Sequence, residues 1–252
     1  MPVPVDGLVF FALSLALFWV VQRWLHRELQ AVLLLLTRNP SAAIGIFSLL
    51  FFPGVLLHET SHFLMARLLG VRTGKFSLIP QTTPQGSLRL GYVETARADW
   101  LRDTLIGMAP LLTGGVLIAW LGLSRLQLLP VGTAILTSNW KDLPGLLSGV
   151  FSVTDFWLWF YLAFAVSSTM LPSASDRQAW LPLGLVLLGL LIIAITAGAG
   201  MWMLENLAPG LNQILRGLSA LFSVSLVVHL ILGIPIWLFR LLICQMTGLQ
   251  VV

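Results

Sequence analysis

The chain has 252 residues, 58% of them hydrophobic and only 10% charged, with a formal net charge of +4. That balance excludes a water-soluble globule and reads as an all-α polytopic membrane protein. No basic block is present that would recruit nucleic acid, and the single cysteine, Cys244, excludes an intrachain disulfide framework.

Taken in order, the apolar run from Leu8 to Val21 predicts a first span, about residues 7–24, closed by Arg23, His26 and Arg27. Asp6, the lack of Lys or Arg ahead of it and the absence of a small-x-small site argue that this segment is retained rather than cleaved as a signal peptide. Ala31 to Leu36 is too short to cross a bilayer and is either interfacial or a continuation of the first helix. Asn39-Pro40-Ser41 caps the next helix, expected over about Ser41 to Leu69, with Pro53 bending it and Gly70 ending it.

Residues 71–99 form the one extended stretch of soluble character. Phe76 to Ile79 and Ser87 to Glu94 predict two short strands of a membrane-associated β-hairpin, joined by the turn-rich linker Pro80 to Gly86. Leu88, Leu90 and Tyr92 give the second strand an apolar face. A third span is expected over Thr104 to Leu123, and Leu126 to Thr137, with Pro130, is re-entrant or interfacial. Asn139 to Ser148 reads as a loop, and Thr154 to Leu171 as a fourth span ending at Pro172. The last two spans are expected over 179–204 and 218–240, with a loop carrying Glu205 and Arg216 between them. Ala194 and Gly198, four apart, suggest a close-packing seam. Trp19, Trp24, Trp100, Trp180, Trp202 and Trp237 fall where spans meet headgroups. The whole chain, 1–252, is thus expected to be one integral-membrane domain of about six transmembrane helices.

Within the second helix lies His58-Glu59-Thr60-Ser61-His62. Two imidazoles and a carboxylate beside lipid are costly and mark function by default. H-E-x-x-H is the order found on a zinc hydrolase helix: i and i+4 share one face, so His58 and His62 can aim at one ion. Glu59 sits beside that face, where a base acting on the metal-bound water belongs. The bland alternative is a buried His pair hydrogen-bonded across a helix bundle.

A catalytic zinc needs a third protein ligand and an open position. Asp6, Glu28, Asp142 and Glu205 belong to termini or loops far from His58 in depth, and Asp155 starts a span on the opposite side. His229, inside the last span, is either a ligand or hydrogen-bonded to a neighbouring helix. Glu94, Asp99 and Asp103 lie on the correct side but among arginines. Asp176, in the polar break Pro172 to Arg177, is the best placed; its competing role is an interfacial ion pair with Arg177.

Three stretches carry a resemblance: LLHETSHFLMARLLGV with the following RTGKFSLIPQ, then APLLT at Ala109 to Thr113, then MLPSASD at Met170 to Asp176. Together they resemble the site-2 protease family of intramembrane zinc metalloproteases over a core of about residues 41–178. In that family a Gly-Val turn and a membrane-associated β-hairpin follow the metal helix, and a later loop with Leu-Asp-Gly supplies an aspartate ligand. The chain departs from the pattern: Ala109 stands for a Gly, Thr113 and Thr169 for two Asn, and Ser175-Asp176-Arg177 for Leu-Asp-Gly.

The resemblance implies one zinc ion per chain held by His58, His62 and Asp176, with Glu59 as the catalytic base. It implies as substrate a membrane-spanning protein cut within or beside its span, and no nucleic acid. The expected location is the cytoplasmic membrane of a prokaryote. Eight Lys or Arg on the side of residues 70–103, against six on the other, place the site nearer the cytoplasmic face. Two rival readings are a catalytically idle relative that binds membrane proteins as a scaffold, and an ion transporter using the buried His and Glu. A zinc hydrolase acting on lipid is a third. The oligomeric state is not legible.

Overall fold

In the computed structural model, which describes residues 6–82 and 88–249, the first helix does not stop where its first apolar run stops. α1 continues unbroken over Asp6–Thr37, so Ala31 to Leu36 is its continuation. Leu25, Leu29, Val32 and Leu35, three and four apart, form the buried stripe that holds the extension in place.

α2, Pro40–Leu68, starts where Asn39 accepts hydrogen bonds from Ser41 N and Ala42 N at 2.9 and 3.2 Å. This side chain satisfies amides that a helix start leaves free, and Pro40 needs no partner there. At the other end Gly70 takes φ +70°, with Gly70 N donating to Arg67 O and Val71 N to Ala66 O. That pair of bonds is a Schellman ending, which favours glycine at the left-handed position. Pro53 lies inside the unbroken helix.

The hairpin is present as two short antiparallel ladders. β1, Thr73–Ser77, pairs with β4, Tyr92–Thr95, and β2, Gln81–Thr82, pairs with β3, Leu88–Arg89. Its first strand begins earlier than the apolar residues suggest, and its second is interrupted at Leu90 and Gly91. There the chain bends onto α2: a side chain at Gly91 would meet the Cγ of Glu59 and Val55. Linker residues 83–87 lie outside the described residues.

α3, Trp100–Trp120, is capped by Asp99 and runs on as a π-helical turn, Leu121–Arg125. The Arg102 N–H, above all, holds the Asp99 carboxyl below the usual carboxylate range. α4 covers Leu129–Leu136 and α5 Leu143–Phe151, so most of the expected loop 139–148 is helix; Pro144 sits in its first turn, where proline is tolerated. α6 is Phe156–Thr169, 14 residues. At 1.5 Å per residue that is ~21 Å, short of the ~30 Å hydrocarbon layer. α5 and α6 meet at 93°, around Asp155 with φ +58°, so the expected fourth span is a bent pair.

α7, Trp180–Ala194, a π-helical turn at Ile195–Ala199, and α8, Gly200–Asn206, contain no buried residue. Among the described residues, nothing packs against the seam expected at Ala194 and Gly198. Gly198 has φ +86° with no neighbour near its Cβ position; it serves a backbone turn, which only glycine makes cheaply.

α9, Ala208–Thr247, is a single helix of 40 residues that takes in Arg216, expected in a loop. Arg216 and Asn212 meet Asp6 near the start of α1, and Arg240 meets Glu28 further on. Phe222 packs on Phe18 with ring centroids 5.8 Å apart. Low numbers meet low numbers, so α1 and α9 run parallel, whereas the first and last of six alternating spans would be antiparallel. Among the described residues, five helices are long and apolar enough to cross a membrane, or six if the bent α5–α6 pair counts as one. A continuous apolar cluster, with Phe18, Leu25, Phe47, Phe51, Phe164 and Phe222 among its members, joins α1, α2, α6 and α9.

Candidate metal centre

On α2 the imidazoles of His58 and His62 lie one turn apart and edge-on to each other, with ring centroids at 4.8 Å and their Nε2 atoms separated by 3.2 Å. Each ring is fixed from behind. His58 Nδ1 lies 2.6 Å from the Thr169 carbonyl, at the end of α6, and His62 Nδ1 lies 2.8 Å from the Ile106 carbonyl, on α3. A carbonyl only accepts, so each Nδ1 carries the proton and each Nε2 presents its lone pair. This backing is the usual arrangement for metal-ligating histidines, because it sets both tautomer and ring angle.

Asp176 supplies the third donor. Its carboxylate stands 3.4 Å from His62 Nε2 and 3.8 Å from His58 Nε2. The turn that delivers it folds on itself: Ser173 N donates to Asp176 Oδ2 at 2.7 Å, and Asp176 N to Ser173 Oγ at 3.3 Å. Arg177 does not pair with Asp176; its Nε donates to the Ser173 carbonyl. The turn docks on Gly107 of α3, where any side chain would collide with the Asp176 carbonyl.

His58, His62 and Asp176 are the described His, Cys, Asp or Glu residues whose ligand atoms converge, all within 4.8 Å of one another. Two facing lone pairs and a carboxylate repel one another, and a cation between them reverses the sign of that interaction. The nitrogen and oxygen set fits a divalent metal ion and leaves room for a fourth position.

Glu59 follows His58 and is buried, with 7% of its surface exposed. It faces a cavity of about 820 Å³ that the three donors also line, together with Arg89, Gly91, Thr169 and Gln178. The carboxylate and the donors thus share one chamber between α2, the hairpin, α3 and the 173–179 turn.

The other acids considered as ligands are used elsewhere. Glu94 accepts from Lys75 N, Asp99 caps α3, and Asp103 accepts from Ala98 N. His229 is fully buried; its Nε2 is 2.9 Å from Ser168 Oγ and its Nδ1 2.8 Å from the Ser225 carbonyl. It is hydrogen-bonded to a neighbouring helix and is not in the donor cluster. Four contributors gave no signal in the sequence: the carbonyls of Thr169 and Ile106, which every residue type carries, and Gly91 and Gly107, which matter only through what presses on them.

A scan against models of protein families, a search of curated proteins and a search of solved structures each returned no match.

Proposed function

We propose that this chain is an intramembrane zinc endopeptidase, a distant member of the site-2 protease family, that cuts a membrane-spanning protein within or beside its apolar segment. One observation carries the reading: His58, His62 and Asp176 converge, with Glu59 beside them, in a chamber built among helices long and apolar enough to cross a bilayer. Polar groups at that position are costly and call for a chemical use.

His58, His62 and Asp176 would hold the zinc ion, which would supply Lewis acidity to the peptide carbonyl and to the attacking water. Glu59 takes the proton of the attacking water and returns it to the departing amine nitrogen, the general-base and general-acid halves of one cycle. The carbonyls of Thr169 and Ile106 hold both imidazoles in the ligating tautomer throughout. A substrate helix hides its peptide groups in its own hydrogen bonds and must unwind before cleavage. Val93 and Thr95 of β4 line the chamber, so the strand can take the opened segment by backbone pairing. The protein belongs in the cytoplasmic membrane of a prokaryote, with the chamber toward the cytoplasmic face.

The test compares the parent protein with Glu59→Gln, measuring bound zinc and cleavage of single-span proteins in cells. About one zinc per chain in both forms, with cleavage only in the parent, is the expected result. Zinc without cleavage in either form would favour a scaffold. Zinc-independent ion flux would favour a transporter, and lipid products a lipid hydrolase.

A further inference from the structure

Gln22 on α1, and His229 and Ser225 on α9, are among the buried polar side chains of the outer helices that take no part in the chemistry above. Burying polar groups in an apolar bundle is costly unless they are paired, and two of them pair with one residue. Gln22 Nε2 donates to the Ser168 carbonyl, and His229 Nε2 accepts from the Ser168 hydroxyl at 2.9 Å. His229 is itself held, because its Nδ1 donates to the Ser225 carbonyl at 2.8 Å and its ring stands edge-on to Phe18 at 5.1 Å.

Ser168 adjoins Thr169, whose carbonyl orients His58. Both residues lie in the last turn of α6, where carbonyls have no partner inside the helix. One such carbonyl is taken by Gln22 and the next by the metal-ligating histidine. Ser168 is locked from two sides, so the peptide that follows it cannot rotate freely.

We propose that Gln22 and His229 are positioning residues of the metal centre: by clamping Ser168 from α1 and α9 they fix the Thr169 carbonyl, and through it the tautomer and angle of His58. This rests on the zinc reading of the site. It gives the outermost helices of the chain a chemical task beyond packing.

The experiment uses the full chain in detergent micelles, stripped of metal, with zinc affinity measured against a chelator and the cobalt-loaded site followed by its visible absorption. Outer partners of metal ligands are worth ~10–100-fold in affinity. Gln22→Met and His229→Phe are each expected to weaken zinc about 10-fold, at the low end of that range, and to change the cobalt spectrum. His229→Gln, which can still bond the Ser168 hydroxyl, is expected to keep the parent values. Phe11→Leu is the packing control: Phe11 packs on Phe222 across the same α1–α9 contact without touching the clamp, so the change lowers thermal stability but leaves zinc affinity and the cobalt spectrum unchanged. Parental zinc affinity in Gln22→Met and His229→Phe overturns the clamp, and so does an equal loss in Phe11→Leu. A parent protein that binds no zinc overturns the metal reading itself and the clamp with it.

Discussion

Gly107 of α3 lies against the backbone carbonyl of Asp176, so close that no side chain fits between them. The two are 69 positions apart, and their contact sets the distance from the aspartate turn to the histidine helix, since the neighbouring Ile106 carbonyl also holds His62. The same short piece of α3 therefore places two of the three donors.

Gly107→Ala should push the 173–179 turn outward. Overpacking of this kind costs ~1–3 kcal/mol, and the cost should fall on Asp176 rather than on α2. The expected outcome is zinc affinity reduced to that of Asp176→Ala, with helical content by circular dichroism unchanged. Parental affinity in Gly107→Ala would show that the turn is held by something else.

Gly91 is the matching contact on the side of Glu59. A Cβ there would stand 2.9 Å from Glu59 Cγ and 3.0 Å from Val55. Gly91→Ala is expected to displace the base without touching a ligand. Zinc content should stay at the parent value while kcat falls on the order of 10²-fold, the usual effect of a 1 Å misplacement. A fall in zinc content instead would mean that the hairpin supports the donors, not the base.

Protons and metal compete for the same two nitrogens. An imidazole binds zinc only in its neutral form, so protons compete with the ion for these two nitrogens. Two such sites make the competition steep in pH. Zinc affinity is expected to fall on acidification, by up to about 100-fold per pH unit where two protons replace the ion, in metal-competition titrations. A slope of a single proton would remove one histidine from the ligand set.

The parallel run of α1 and α9 predicts where the ends of the chain lie. Helices that cross in the same direction place Asp6 and Thr247 on opposite faces of the membrane, so the number of crossings is odd. Impermeant labelling of single cysteines placed in the two ends, in a Cys244→Ser background, should modify one from outside and the other only after permeabilisation. Both ends on one face would restore the even count that six alternating spans give.

The residues bearing chemistry were legible before any coordinates because their types are rare in this chain. Four histidines in 252 residues make His58-Glu59-x-x-His62 stand out, and helical periodicity alone places both imidazoles on one face. The Asn39-Pro40 start and Gly70 end of α2 were readable for the same local reason: capping depends on neighbours in sequence. The lengths of the outer helices were not, because apolar residues support any boundary within a run. Packing of α1 on α9 carries both helices past their polar interruptions at Arg23 to Glu28 and at Arg216. The 93° bend between α5 and α6 was hidden likewise, since Asp155 looks like a span start until its backbone turns left-handed.

By itself the sequence determined a helical, apolar chain with a histidine pair one helical turn apart, a glutamate beside it and a candidate acid far downstream. Only the tertiary structure decided that Asp176 reaches that pair, because glycine contacts and backbone carbonyls bring it there and neither leaves a mark on residue type. It also decided the parallel pairing of the first and last helices, which depends on how long apolar surfaces share neighbours and not on how apolar they are.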